Sequence, residues 1–468
     1  MAKTKIAKKR KKRKQKKGRP TAKAPLCALG EVVCAKHLFD PIHQGVSIEQ
    51  KTVVYRPTDK LVFPILGILA GAETLSEINI KLRPDKVLLN AFGYNRCADI
   101  SVIQQTLDAA TETTVCELES ALDAIWDTHT RSQLSPVTVG EVMCVDIDLS
   151  ALPVSKRAEG SEKGYVANRG HRYTRQLARV LVSETQEIVS QSVYNGKMRS
   201  DAVFKEMVGK LEQTMQLDSG EKRGQIQLRF DAGFGTDANI NYALWRGYEV
   251  LGKMYAWKRV KKLANTVERW ESVPTSRGVL GRDAGWVSPP HRYARNTVQV
   301  AVRTQKQDGS FSYAVLVTTK TDASIAEIVR DYDKRSGAPE SRFSQDYAGL
   351  SLRKYRKSGF VAQQVLVLLC QLAHNLLIWV KEWLSVAVMS SNCGKSGSHR
   401  ARTGAVLEVR GMKRLIRDIL SVSGAVCFEN HRVVCIRLNP LHPLIVPVTT
   451  AFEALLQPYN IRVLLDKN

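Results

Sequence analysis

The sequence predicts an α/β fold in which a mixed sheet is covered by helices on both faces. Three observations predict it. From residue 142 the chain runs strand, strand, strand, helix, strand, helix, strand. The region before it, 25–135, carries helical patterning with capping residues at the helix starts. In addition, 44% of the 468 residues are hydrophobic, enough to bury substantial cores.

Residues 1–24 stand apart as a basic tail, expected to be disordered on its own. Thirteen Lys and Arg fall within residues 1–23, with no acid. The whole chain carries a formal net charge of +25, so the remainder still carries +12. An excess of this size selects a polyanionic partner, and nucleic acid comes first. Lys17-Gly18-Arg19-Pro20 faintly resembles the core of a minor-groove AT-hook, but plain phosphate contact is the simpler account. Nine cysteines without a CxxC pair argue against a disulfide framework and for a reducing, cytoplasmic setting.

Residues 25–140 read as a helical domain after a short extended start. The stretch 61–69 is apolar, Thr74 or Ser76 can cap a helix running toward Leu82, and Pro84 marks a second start. Val87, Leu88, Leu89 and Phe92 follow, then Gly93; Asp99 or Ser101 can cap the next helix. Helix, Gly-containing turn, helix fits a helix-turn-helix DNA reader, and it fits a plain bundle equally well. A further helix over 114–126 closes the region.

Residues 141–391 form the main domain. The stretch 142–150 reads as a strand with Asp146 and Asp148 near its end. Extended stretches over 165–181 and 187–194 follow, then a helix over 200–215. The strand 225–230 delivers Asp231 into the turn Ala232-Gly233-Phe234-Gly235. A helix over 237–246 and a strand over 248–255 complete an order that is RNase H-like. Acids after the first and fourth strands would sit side by side on central strands, where hard divalent cations find oxygen ligands. When spacing is considered alone, loop acids or helix caps are the readier account of such acids, which are common after strands.

A β-rich insertion over 256–321 follows, with strands at 297–303 and 311–318 flanking the hairpin signal Asp308-Gly309. Trp257, Trp270 and Trp286 punctuate it and are expected to pack its own small core. The apolar stretch 360–380 is long enough to cross a membrane. Gln363, Gln364, Gln371, His374 and Asn375 within it are costly in lipid, so a buried helix and no membrane are expected. Residues 392–468 read as a Ser/Gly-rich linker and a small α/β region.

Three motifs resemble those of bacterial insertion-sequence DDE transposases. Asp146-Ile-Asp148-Leu-Ser150 is similar to their first motif, and Asp231-Ala-Gly-Phe resembles the second. Tyr332-Asp-Lys-Arg335-Ser-Gly-Ala-Pro-Glu340 resembles the third motif of the subgroup with a Tyr-Arg-Glu-Lys signature. The order is right, with separations of 83 and 109 residues, and the resemblance spans residues 75–385. It implies that Asp148, Asp231 and Glu340 bind two Mg²⁺ or Mn²⁺ ions. Asp148 is preferred to Asp146 by its spacing to Ser150. It implies that Tyr332 and Arg335 serve DNA, and that the partner is double-stranded DNA, both element ends and target. A homodimer on DNA and a bacterial, nucleoid-associated location follow from the same resemblance.

The chain departs from the family in two places. Four residues rather than three separate Arg335 from Glu340, and the expected Lys is Tyr347, with Arg353 or Lys354 as substitutes. Two alternatives stay open on these departures: a transposase-derived DNA-binding protein without catalysis, and an RNase H-like nuclease that cuts without joining.

Overall fold

The computed structural model describes residues 18–51, 54–134, 142–166, 169–274, 281–337, 347, 349–390 and 397–466. The basic tail is shorter than the sequence suggested. Arg19–Thr21 form strand β1, and the expected extended start is helix α1 (Ala24–Ala35), with Pro25 in its first turn. The rest of the helical region includes α2 (Pro57–Leu69) and α3 (Glu112–His129). Thr111 caps α3 by accepting from the Thr114 N–H, satisfying a donor that the first turn leaves unpaired. Asp99 caps Ile100–Asp108 in the same way, and Asp85 caps Lys86–Ala91. Those two short helices are separated by the eight residues 92–99, longer than the usual turn of a helix-turn-helix.

Strand alternation builds the main sheet. In β2 (Met143–Pro153), Val145 and Ile147 point into one core while Asp146 and Asp148 face the other side. Next come β3 (Glu162–Val166), β4 (Arg169–Val182), β5 (Ile188–Tyr194) and α4 (Ser200–Thr214). They are followed by β6 (Ile226–Phe230), α5 (Asp237–Arg246) and β7 (Glu249–Lys253). The strands lie in the order β5-β4-β2-β6-β7, with β2, β6 and β7 parallel and β4 antiparallel to both its neighbours. This is the RNase H-like order the element sequence predicts.

The insertion does not stand off as a separate lobe. After α6 (Trp257–Ala264) come β8 (Glu271–Ser272), β9 (Arg282–Trp286), β10 (Val298–Gln305) and β11 (Phe311–Thr318). The hairpin at Asp308-Gly309 is present, with Gly309 at φ +79°. β11 pairs antiparallel with β7, so these four insertion strands continue the central sheet, to ten strands among the described residues. A hairpin signal specifies its own turn and not the strand it docks on.

Helices cover both faces. α4, α5 and α6 pack on the face that carries Ile147, Leu228 and Phe230. On the opposite face α7 (Ile325–Gly337) packs Ile328, Val329 and Tyr332 against Leu251, Val300 and Leu316. Of the three tryptophans, Trp270 is half-buried, packed against the core of the central sheet rather than a core of the insertion's own, with the Arg303 guanidinium 4.5 Å from its ring centroid. Trp257 and Trp286 are exposed instead, with the Lys261 ammonium 5.3 Å from the Trp257 ring.

The long apolar segment is α8 (Phe360–Ser390), 31 residues. It is the one helix among the described residues apolar and long enough to cross a membrane, yet 89% of its most apolar window is buried within the protein. Its amides explain the paradox. Among the described residues β5 pairs only with β4, which leaves its other edge with backbone groups to satisfy. Asn375 accepts from the Ile188 N–H and donates to the Ile188 carbonyl, both at 2.9 Å. Gln364 accepts from the Val193 N–H at 2.7 Å and donates to the Gln191 carbonyl. Gln371 donates to the Val189 carbonyl at 3.2 Å.

The C-terminal region is also less separate than the sequence suggested. Part of the expected linker is helix α9 (Gly397–Glu408). β12 (Gly424–Glu429), β13 (Arg432–Leu438), α10 (Ile445–Leu456) and β14 (Arg462–Leu465) follow. β1 pairs with β12 to complete a second sheet, β1-β12-β13-β14. One apolar cluster unites α1, α2, α3, α8 and this C-terminal sheet. Local pattern does not report a strand pairing across some four hundred residues of chain, which is why the tail and linker boundaries shift.

Candidate active site

The site lies where β2 and β6 stop pairing. Their parallel register runs to Ile147 opposite Phe230, so Asp148 and Asp231 are the next residue on each strand. The sequence placed Asp148 near a strand end. In fact β2 runs on to Pro153 along β4, and Asp148 marks the point where β2 parts from β6. Asp231 enters a tight turn: its Oδ1 accepts the Gly233 N–H at 2.9 Å and its carbonyl accepts the Gly235 N–H at 3.1 Å. Gly235 is required there, because a Cβ would be driven into the Lys253 carbonyl.

Asp146 and Asp148 share a face of β2, but their environments divide their roles. Asp146 is fully buried, and both its oxygens are taken by Arg229, at 2.6 and 2.8 Å. Ser183 adds a further bond to Oδ2 at 3.2 Å. Asp148 is partly open, and its Oδ1 accepts the Leu149 N–H at 2.9 Å. Burial pushes the Asp148 carboxyl up to about 6, the Arg335 cation opposes the rise, and the charge of Asp231 adds to it.

α7 carries Tyr332 and Arg335 one turn apart onto this face. An Arg335 Nη lies 3.2 Å from Asp148, while its buried Nε–H has no partner among the described residues. Tyr332 is buried beside it, and burial pushes its phenol up to about 12. Lys253, at the end of β7, completes the cationic surround. Burial lowers its ammonium from the ordinary value against the pull of Asp231.

The other expected residues divide. Tyr347 donates its hydroxyl to Ser150, and the Arg353 guanidinium lies 4.0 Å from the Tyr347 ring centroid. Lys354 points elsewhere and is paired with Glu73, which also holds Lys413 at 3.3 Å. Of the two expected substitutes for the missing lysine, Arg353 is therefore the one that meets Tyr347. Glu340 lies outside the described residues. Among the described residues no group of three metal-ligating side chains occurs. Sequence reasoning missed Arg229, although a signal was available: Arg229 precedes Asp231 by two residues, as Asp146 precedes Asp148, so all four side chains share one face.

No protein-family model matches the chain, and no curated protein matches it. Among solved structures it is similar to a piggyBac transposase synaptic complex with hairpin DNA, at 15% identity and a TM-score of 0.44 over 87% of each chain. It is also similar to a pre-cleavage Mos1 transpososome, at 10% identity and a TM-score of 0.17, over 44% of this chain and 61% of that one. Neither likeness points to the bacterial insertion-sequence subgroup that the motifs resemble. Both are too distant to carry a functional argument, which rests on the residues and their geometry.

Proposed function

We propose that the chain is a DDE-type transposase that binds the ends of its own mobile element, cuts there and joins the freed end to target DNA. One observation carries the reading. Asp148 and Asp231 stand side by side where two adjacent parallel strands part, with Arg335 of α7 brought onto Asp148. Two oxygen donors beside each other, one of them held well above the usual carboxylate range, fit a hard divalent cation. Asp148 and Asp231, with Glu340 as the third ligand, would hold Mg²⁺ or Mn²⁺. Such ions, when bound, activate water and stabilise charge on the attacking and leaving oxygens.

The remaining work falls to the chain's own groups. Arg335, whose Nε–H has no partner among the described residues, offers a planar fork to a phosphate. Arg353, stacked on Tyr347, offers a second cation along the same strand face. Water attacks a phosphodiester at the element end and releases a 3′-hydroxyl. That hydroxyl attacks a phosphodiester of the target and releases a new 3′-hydroxyl there, with no covalent link to the protein. Two ends must be held together, so two copies on DNA are expected. The +25 charge supplies the sequence-independent part of binding.

The test is cutting by the purified protein of a DNA fragment carrying its own gene and both native flanks, with Mg²⁺ or Mn²⁺. Asp231→Asn runs beside it, and binding is measured in parallel. Cuts flanking the gene and joined products with wild type, against binding alone with the variant, support the transposase. Cuts without joining make it a nuclease. Binding without cuts by either protein leaves a DNA-binding protein derived from a transposase.

A further inference from the structure

The buried pair Asp146 and Arg229 lies one step behind the two site acids. The two residues are directly opposite each other in the β2–β6 register, and their side chains are 1% and 3% exposed. Arg229 uses its guanidinium in three directions. Nε and Nη2 grip the two oxygens of Asp146, and Nη2 also donates to Ser183 at 2.7 Å. Nη1 reaches out of the sheet to the backbone carbonyl of Asp331 at 2.5 Å. Asp331 sits on α7 one residue before Tyr332 and one turn before Arg335.

A buried ion pair is a weak source of stability, because desolvation of both charges offsets most of their attraction. Its geometry is another matter. The apolar contacts of α7, through Ile328, Val329 and Tyr332, leave a helix some freedom to slide or roll on the sheet. A guanidinium locked to β2 by two bonds and to a single carbonyl of α7 by a third removes that freedom. Besides the Arg335–Asp148 pair at the site itself, the remaining described side-chain anchors are Arg282 on Asp333 and Lys320 on Asp331, both partly exposed.

We infer that Arg229 is a positioning residue, which with Asp146 as its clamp fixes the axial place and rotation of α7 so that Arg335 meets Asp148. It touches no reacting atom. It acts through the helix, and the same clamp ties together the two strands that carry Asp148 and Asp231. The inference rests on the proposed reading of Asp148 and Asp231 as the chemical centre.

Two variants test it. Asp146→Val with Arg229→Met removes both charges together and leaves neither buried alone, so the fold is retained. Arg229→Lys keeps a cation for Asp146 but lacks the fork that reaches Asp331. Thermal midpoint, duplex binding, single-turnover cutting of the gene-and-flanks fragment and hydrogen exchange of 325–337 are measured for each. The expected result is unchanged duplex binding, faster exchange confined to α7, and cutting slowed by about a hundredfold per folded molecule, as about 1 Å of misplacement produces. Wild-type cutting by Arg229→Lys, or unchanged α7 exchange in both variants, overturns the inference. Lower stability with undiminished cutting per folded molecule also overturns it, since that is a purely structural role. If wild type itself does not cut, the proposed function fails, while the exchange measurement still decides whether Arg229 holds α7.

Discussion

Tyr347 donates its hydroxyl to Ser150 Oγ at 2.9 Å, two residues along β2 from Asp148 and on the same face. The ring so held carries the Arg353 guanidinium at 4.0 Å. Two strand residues span roughly 7 Å, close to the spacing of successive phosphates on one DNA strand. Where the resembling family has a lysine, this chain has an aromatic mount for an arginine.

Arg353→Ala should weaken duplex binding and flatten the dependence of log affinity on log salt by about 0.9, the share of one phosphate contact. Tyr347→Ala should do the same, and the double variant should be no worse than either, because the two side chains act as one unit. Lys354→Ala should leave the slope alone, since its amine is held by Glu73. Anisotropy titrations at several salt concentrations give the slopes. A wild-type slope for Arg353→Ala would remove Arg353 from the interface.

Asp148 makes the metal-free protein pH-sensitive in a stated direction. Its folded carboxyl titrates at about 6 against an ordinary value of 3.8. As pH rises between those values the unfolded chain gives up this proton first, so stability falls through the window and stays low above it. Asp148→Asn removes the cost and should be more stable than wild type at pH 7.5, by roughly 3 kcal/mol. Below about pH 4 the gain should vanish, because the carboxyl is then protonated in both states. Denaturant titrations in chelator across that range test it. A variant less stable than wild type at pH 7.5, or a difference that ignores pH, contradicts the assignment. Added Mn²⁺ should stabilise wild type above pH 6 and the variant much less.

The Asp231 turn depends on a missing side chain. Gly235→Ala forces a methyl group into the Lys253 carbonyl, a backbone atom with no freedom to swing away. The expected loss is about 3 kcal/mol, at the upper end for overpacking, read by urea unfolding. Cutting should fall as well, since the displaced turn carries Asp231. A neutral Gly235→Ala would show that the 231–235 loop has slack.

The amides of α8 predict a cost of their own. Asn375→Leu is close in volume, yet it leaves the Ile188 N–H and carbonyl buried without the partners they have now. Each unsatisfied group costs about 1–3 kcal/mol, so for the two groups a loss of roughly 2–6 kcal/mol is expected in thermal or urea unfolding. A change under about 1 kcal/mol would mean that the Asn375 bonds add little to the docking of α8 on β5.

Much of the candidate site's face is legible in the sequence, because it is written in local periodicity. Strand alternation puts Asp146 and Asp148 on one face, and the turn after Phe230 isolates Asp231. What periodicity does not carry is pairing. Two acids spaced by two residues look equivalent in sequence, and only the register of β2 on β6 gives Arg229 to Asp146 and leaves Asp148 open. The same blindness covers β1 on β12 and the docking of β11 on β7. A lysine such as Lys354 likewise shows its charge in sequence, but not that Glu73 has claimed it.

An open sheet of this size has a hazard at its rim: a bare strand there is a template on which another chain can add itself and propagate. Proteins commonly blunt such rims with surface charge, proline or a bulge. Here Gln364, Gln371 and Asn375 cover the rim from a helix, pairing with β5 much as another strand would. Peeling α8 away would therefore do more than open a core. It would bare a ready partner for a second copy, so partial unfolding of this chain is expected to end in self-assembly rather than in a soluble intermediate.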